Sequence, residues 1–231
     1  MQIVGVANPG SPELVRLEIG HGMHPRQVLW RQGWVLQNLF SAQVVGGEVV
    51  ITGRVTRRGP RSRPPKVKHR TADPDLRTSP DEVPVPRQRI AAYAVVRSHR
   101  GILGTECSDR TAIPGLWQLP GGGLDEGESP AEALVREVME EAGQEVRINH
   151  LLDLQSDHWI GRAPSGQLED FHALRIFYSA TCESPTDPQV IDIDGTTERA
   201  EWVPLWRWRR LPWTAGSRSI LDKYAAGVPT N

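Results

Sequence analysis

Apolar and polar positions alternate along ELVRLEI (13–19), which predicts a short strand. HPRQVLWRQGW (24–34) reads instead as a short helix with Pro25 near its start. VLQNLFSAQVVGGEVVITGRV then gives two β-rich runs broken at Gly46-Gly47, a strong hairpin signal. Residues 1–56 are therefore expected to form a small β-α-β-β accessory module. From residue 57 the pattern lapses. RRGPRSRPPKVKHR is basic and proline-rich, and acids and further prolines come after it. Such a stretch cannot build a packed core, so residues 57–87 read as a linker. Its basic half could touch phosphate or RNA; a solvated tether is the favoured reading.

Periodicity returns over residues 88–227. RIAAYAVVRSHRGILGTE predicts two strands around a turn at His99-Arg100-Gly101, and GLWQLP a further short strand. β-rich runs stand at 146–154 and 171–182, RAEWVPL (199–205) ends a strand, and SRSILDKYAAG (217–227) forms a closing helix. The segment 156–178 carries glycine, proline and many polar residues, and is expected to be a long specificity loop. WVPLWRWRRLPW (202–213) is expected to cap the fold with its tryptophans. Strands on both sides of one central helix predict an α+β architecture, a mixed α/β sandwich with a mixed sheet between helices.

Composition narrows the classes. Among 231 residues the formal net charge is −1, so the molecule as a whole is no electrostatic binder of nucleic acid. No apolar run has the length of a membrane span, and the first residues lack an export-signal pattern. Cys107 and Cys182 lack metal-ligand spacing. A cytoplasmic protein with no membrane partner is the expectation, with a homodimer left open.

Between Leu119 and Gln144 the chain reads LPGGGLDEGESPAEALVREVMEEAGQ. Ser129 is a good N-cap, with Pro130 at the first helical position and Glu132 completing a capping box. Gly143 suits a left-handed C-terminus, so a helix is predicted over 130–142. On a wheel with Glu137 at zero, Glu141 falls at about 40° and Glu140 at about −60°. Leu134, Val138, Ala142, Val135 and Met139 span about 60–200° and predict the packed face. Three carboxylates on the adjoining face fit either a solvated acidic surface or a site for a hard divalent cation. Gly121, Gly122 and Gly123 just before the helix would let a ligand approach the backbone.

The order Gly122, five residues, Glu128, seven residues, then Arg136-Glu137-Val138-Met139-Glu140-Glu141-Ala142-Gly143 resembles the Nudix box. Every fixed position of that pattern matches; only the final position, usually apolar, departs as Gln144. The resemblance implies the Nudix fold over residues 88–227 and a pyrophosphohydrolase of nucleoside diphosphates linked to another moiety. It further implies Mg²⁺ or Mn²⁺ held by Glu137, Glu140 and Glu141, with the Gly121 carbonyl as a further ligand. Arg136 and Glu128 are then expected to pair and orient the loop, and Glu141 to position or deprotonate water. Glu169, Asp170, Glu198 and Glu201 are candidates for a base outside the box.

For the substrate, the resemblance favours a (d)NTP or oxidised nucleotide, a nucleotide-type small molecule rather than nucleic acid. The proline that marks ADP-ribose enzymes sixteen residues past the box is absent; Ile160 stands there, with Pro164 close by. Trp117, Gly122, His158 and Arg162 are the candidate substrate contacts, with Trp159 and His172 nearby; core packing competes for Trp117. An ADP-ribose or nucleotide-sugar pyrophosphatase, and a non-catalytic nucleotide sensor, are the alternatives.

Overall fold

The computed structural model describes residues 1–67, 70–73, 76–163, 165–192 and 195–225. The chain divides into two compact units, Met1–Ile90 with Leu154–Arg175, and Ala91–Asp153 with Ile176–Asn231. The first unit thus takes a later stretch of chain as well as the N-terminal module.

That module has one strand more than its sequence pattern predicts. β1 (Gln2–Val6) precedes β2 (Glu13–Glu18), α1 (Pro25–Arg31), β3 (Trp34–Val45) and β4 (Glu48–Arg57). The sheet order is β2-β1-β4-β3, with β1 parallel to β4 and the other pairs antiparallel. β1 is buried along nearly all its length, so it shows no alternation to read. A Cβ at Gly5 would lie 2.6 Å from Val55, so this central strand packs closer than any side chain permits. The helix is shorter than the expected 24–34 because Gly33 takes φ +80 and Trp34 opens β3. Gly46 and Gly47 both have positive φ, as the two-residue turn of a tight hairpin requires. Ile3, Ile19, Leu29, Trp34, Leu36, Val55 and Leu174 form the core of this unit.

In the linker, Thr71–Ala72 (β5) pairs in parallel with Trp159 and Ile160. The expected specificity loop is corrected by the structure. β10 (Arg147–Arg162) and β11 (Leu168–Thr181) run through most of it, leaving only a short connection. Its polar residues are strand residues that pair across the hairpin, as Asp157 does with Arg175 and His158 with Asp170, or with other segments, as Arg162 does with Glu82.

β6 (Val85–Ser98), which enters the second unit at Ala91, and β7 (Gly101–Cys107) form the predicted hairpin. β8 (Trp117–Gln118) pairs with β7, and β9 (Gly121–Gly123) with Ala91–Tyr93 of β6. α2 (Pro130–Ala142), β12 (Thr197–Val203) and α3 (Ala215–Tyr224) complete the second unit. The larger sheet has the order β12-β7-β6-β11-β10-β5, and β6, β10 and β11 each give residues to both units. Val95, Ile102, Leu119, Phe177, Val203, Ile220 and Leu221 pack with Trp117, Trp208 and Trp213. Of the tryptophan-rich run, Trp202, Trp208 and Trp213 are buried and Trp206 is exposed. Cys107 and Cys182 are both buried and free. Among the described residues no helix is long and apolar enough to cross a membrane.

Candidate active site

α2 has the predicted bounds and both predicted caps. Ser129 Oγ accepts from the Glu132 amide, Glu132 returns a bond to the Ser129 amide, and Gly143 is left-handed at φ +62. The buried face differs from the expected one. Ala133, Leu134, Val138, Glu141 and Ala142 are buried, whereas Val135 is 42% exposed. The packed arc is turned toward the acids, and Glu141 stands inside it rather than beside it.

That rotation places a carboxylate against the glycine strand. Glu141 is 6% exposed, and both its oxygens are bonded. Gly121 N–H donates to Oε2 at 2.9 Å, and Thr197 Oγ1 donates to Oε1 at 2.7 Å. Burial first, and the charges of Glu137 and Glu140, push the Glu141 pKa up to about 8 against those two bonds. The glycines are a short strand rather than an open loop. Ala94 N–H bonds to Pro120 C=O, so the facing pair Tyr93–Gly121 is a non-hydrogen-bonded one. The Gly121 polar groups therefore turn away from β6, which frees its amide for Glu141. Gly121 has φ +137, and a Cβ there would lie 2.1 Å from the Ala92 carbonyl oxygen. At Gly122 a Cβ would lie 2.3 Å from Glu137 Oε1, so the second glycine makes room for a carboxylate.

Arg136 ties the loop to the helix. Nε and Nη2 grip the two Glu128 oxygens at 2.9 Å each, and Nη2 also donates to the Gly123 carbonyl at 3.1 Å. Nη1 reaches Glu137 at 3.1 Å and Glu140 at 3.0 Å. The Arg136–Glu128 bond raises the arginine pKa above its ordinary range and lowers that of Glu128. One guanidinium thus faces Glu128, Glu137 and Glu140 together, with Glu141 buried behind them. Four carboxylates against one arginine leave an excess of negative oxygen donors, which a hard divalent cation fits. Gln144, the departure from the box pattern, is 2% exposed. Its amide donates to Ala142 O and Thr186 Oγ1 and accepts from Thr186 N–H, so a polar residue is satisfied at a buried place.

The remaining candidates fall elsewhere. Trp117 is 2% exposed and meets Trp213 edge to face, with centroids 6.2 Å apart; this corrects its reading as a substrate contact, because its ring is spent on the core. His158 and Arg162 belong to the first unit, where His158 contacts Asp170 and Arg162 forms a two-pronged pair with Glu82 at 2.6 and 2.7 Å. Their side chains are engaged there, as is that of Glu169, paired with Arg87 at 2.8 Å. Trp159 packs on Phe171 with the rings tilted at 42°, and His172 is fully buried, which pushes its pKa down to about 4. Glu201 pairs with Arg207, and Glu198 is exposed. Pro164 lies outside the described residues. Sequence reasoning missed Thr197, which has no local signal 56 positions from Glu141.

A capped helix bearing three carboxylates, a glycine strand feeding one of them and an arginine clamp gather oxygen donors of the kind that suits a hard cation. Residues 86–224 match the NUDIX domain, and the chain belongs to that family. Over 90 residues it is 37% identical to an RNA pyrophosphohydrolase of Helicobacter pylori (strain P12), covering 38% of this chain and 56% of that protein. It is 40% identical over 63 residues to the Nucleoside triphosphatase NudI of Enterobacter sp. (strain 638), covering 27% of this chain and 45% of that one. Among solved structures it is similar to a NUDIX hydrolase from Nitrosomonas europaea, at 26% identity and a TM-score of 0.46, over 61% of this chain and 90% of that one. The chain spans about half the length of the curated relatives it matches.

Proposed function

We propose that the chain is a divalent-metal-dependent pyrophosphohydrolase that cleaves a nucleoside triphosphate, ordinary or oxidised, to the monophosphate and pyrophosphate. The observation that carries this reading is the convergence of Glu137 and buried Glu141 on the Gly121–Gly123 strand, with Glu140 bonded to the same Arg136 nitrogen as Glu137. Those three carboxylates, with the Gly121 carbonyl, would hold Mg²⁺ or Mn²⁺. Bound there, the ion would polarise phosphoryl oxygens and lower the pKa of bound water. The chain's own residues fix the donors. Gly121 and Thr197 aim the Glu141 carboxylate, Gly122 admits that of Glu137, and Arg136 anchors the helix to Glu128. Glu141 is the first choice for positioning or deprotonating the attacking water.

The names of the relatives support a second substrate of the same chemistry, the 5′-triphosphate end of an RNA. The bond cleaved is the same phosphoanhydride, so the two readings differ only in the group attached beyond the first nucleotide.

The test is product release with Mg²⁺ or Mn²⁺ from the four dNTPs, 8-oxo-dGTP, a 5′-triphosphorylated RNA oligonucleotide, ADP-ribose and a nucleotide sugar. Pyrophosphate release from a triphosphate, lost in Glu141→Gln, supports the proposal. Turnover confined to ADP-ribose or the sugar replaces its substrate. Tight binding without turnover replaces the enzyme with a nucleotide sensor.

A further inference from the structure

A second cluster of ligand-type side chains lies in the first unit, outside the box. His21 sits in the turn between β2 and α1, His158 on β10 and Asp170 on β11. His158 Nε2 lies 2.5 Å from Asp170 Oδ1, and His21 Nε2 lies 3.6 Å from Asp170 Oδ2. One donor atom from each of the three residues falls within 4.8 Å of the other two. The two imidazoles stand edge to face, 5.1 Å between centroids and 89° between planes. A pairing of one histidine with one acid would need only two of these groups. Here segments about 140 residues apart in sequence deliver a second imidazole to the same carboxylate.

The surroundings hold that arrangement. Gly22 has φ +72, and a Cβ there would lie 2.8 Å from His158 Cε1. The turn can press on His158 only because its second residue is glycine. The Gly22 amide donates to Nδ1 of the fully buried His172 at 3.1 Å, and His172 Nε2 contacts Ser156 Oγ at 2.9 Å. His172 is thereby fastened at both nitrogens, and it anchors the backbone next to His21. It is a positioning residue for the turn. Asp170 is also reached by Arg70 at 3.3 Å, an arginine 54% exposed. A guanidinium so exposed can withdraw from the carboxylate at small cost.

The donor set differs in kind from that of the box. Two imidazole nitrogens and one carboxylate oxygen suit zinc and its transition-metal neighbours, whereas magnesium prefers oxygen alone. With zinc-to-ligand lengths of about 2.0–2.2 Å, tetrahedral donors lie roughly 3.3 Å apart. The present contacts of 2.5 and 3.6 Å bracket that spacing, and the three donor atoms lie within 4.8 Å of one another, so a shared ion asks for side-chain shifts on the order of 1–2 Å. We propose that His21, His158 and Asp170 form a binding site for a divalent transition-metal ion of the zinc type, which ties the turn after β2 to the β10–β11 hairpin. Three protein ligands leave the remaining position to water.

The full chain, stripped with a chelator and dialysed against Zn²⁺ under a large excess of Mg²⁺, tests this directly. Bound zinc is counted by atomic absorption, and affinity is measured by calorimetry for the wild type, His21→Gln, His158→Ala, Asp170→Asn and, as a control at the box, Glu141→Gln. The expected result is one zinc retained by wild type and Glu141→Gln, with affinity reduced at least roughly tenfold in each cluster variant. The Co²⁺-loaded wild type should also show the visible absorption of a nitrogen-ligated ion, lost in His21→Gln. Should His158→Ala fail to fold, the partly exposed His21 and the near-isosteric Asp170→Asn decide the matter alone. No zinc retained by the wild type overturns the site and leaves a hydrogen-bonded histidine–aspartate group. Zinc retained equally by His21→Gln and Asp170→Asn overturns it too, as does zinc lost only in Glu141→Gln.

Discussion

The box helix with its glycine strand and the β10–β11 hairpin are neighbours in the chain, yet their chemistry is assembled in opposite ways. From Gly121 to Gly143, the carboxylates, the clamp and both helix caps come from one short stretch of sequence. From Arg147 to Thr181, most charged groups meet a partner from another part of the chain, while Asp157 and Arg175 pair within the hairpin. Asp170 meets His21 and Arg70, Glu169 meets Arg87, and Arg162 meets Glu82. The first region depends on helix periodicity and glycine sterics, which are local. The second depends on which strands become neighbours, which is not. A change in the box should therefore strike one function sharply, while a change in the hairpin should act through segments distant in sequence.

The sharpest way to break that contrast is Glu141→Gln. It keeps the shape and removes the ionisable group of the box carboxylate that is buried, held by Gly121 and Thr197. If Glu141 handles the attacking water, turnover should fall by about 10²–10⁴-fold, with zinc binding at His21, His158 and Asp170 untouched. Steady-state rates with Mg²⁺ check this, and wild-type rates in the variant would remove Glu141 from the chemistry. Next in size is Gly121→Ala. Its φ of +137 is closed to alanine, and the added carbon would strike the Ala92 carbonyl. Strain of this kind costs about 1–3 kcal/mol before any overlap is counted. Denaturant unfolding should report that loss, together with lost activity, because the amide that holds Glu141 moves with the backbone. Unchanged stability would mean the strand relaxes freely and is not the template described.

The same contrast explains which features are legible in the sequence. The Arg136–Glu128 pair is legible only through the resemblance to the Nudix box, whereas the helix bounds, its caps and the placing of the carboxylates are legible because each depends on residues a few positions apart. The hairpin turns at Gly46-Gly47 and at Gly101 are legible for the same reason. β1 is not, because a strand buried on both faces shows no alternation. Within the hairpin, 156–178 reads as a loop because several of its polar positions are satisfied by ion pairs with Arg87, Glu82 and Arg70, and sequence alone does not show such partners. Burial of Glu141 escapes a helical wheel, which ranks residues by polarity. The face that packs here includes an acid whose two oxygens are satisfied by Gly121 and Thr197. The buried Gln144 is a parallel case, a polar residue accepted in the interior because Thr186 and Ala142 meet its amide.

Arg136→Lys sharpens the comparison within the box. Lysine keeps the charge but cannot grip both Glu128 oxygens while also reaching Gly123, Glu137 and Glu140. The ligands remain and only their orientation loosens, so metal affinity should fall by about 10–100-fold. Mn²⁺ titration followed by electron paramagnetic resonance measures it, and saturating Mn²⁺ should restore most of the rate. A rate that stays low at saturation would place Arg136 on the substrate instead.

The smallest effect separates the helix as scaffold from the helix as site. Ser129 caps the first turn of α2 and touches none of the carboxylates of the site. Ser129→Ala leaves the Glu132 amide without its acceptor and should lower stability by about 1 kcal/mol. Glu137, Glu140 and Glu141 lie two turns or more further on, so kcat with Mg²⁺ should stay within about twofold of wild type, since cap effects fade within the first turn. Thermal unfolding and kinetics on one preparation decide it. A stability loss with intact kcat would show that the cap sets whether the helix forms and the glycine strand sets where its carboxylates point. A matching loss of kcat would show that fraying reaches the box, and that the site depends on the whole helix rather than on the few residues that touch Gly121 and Gly122.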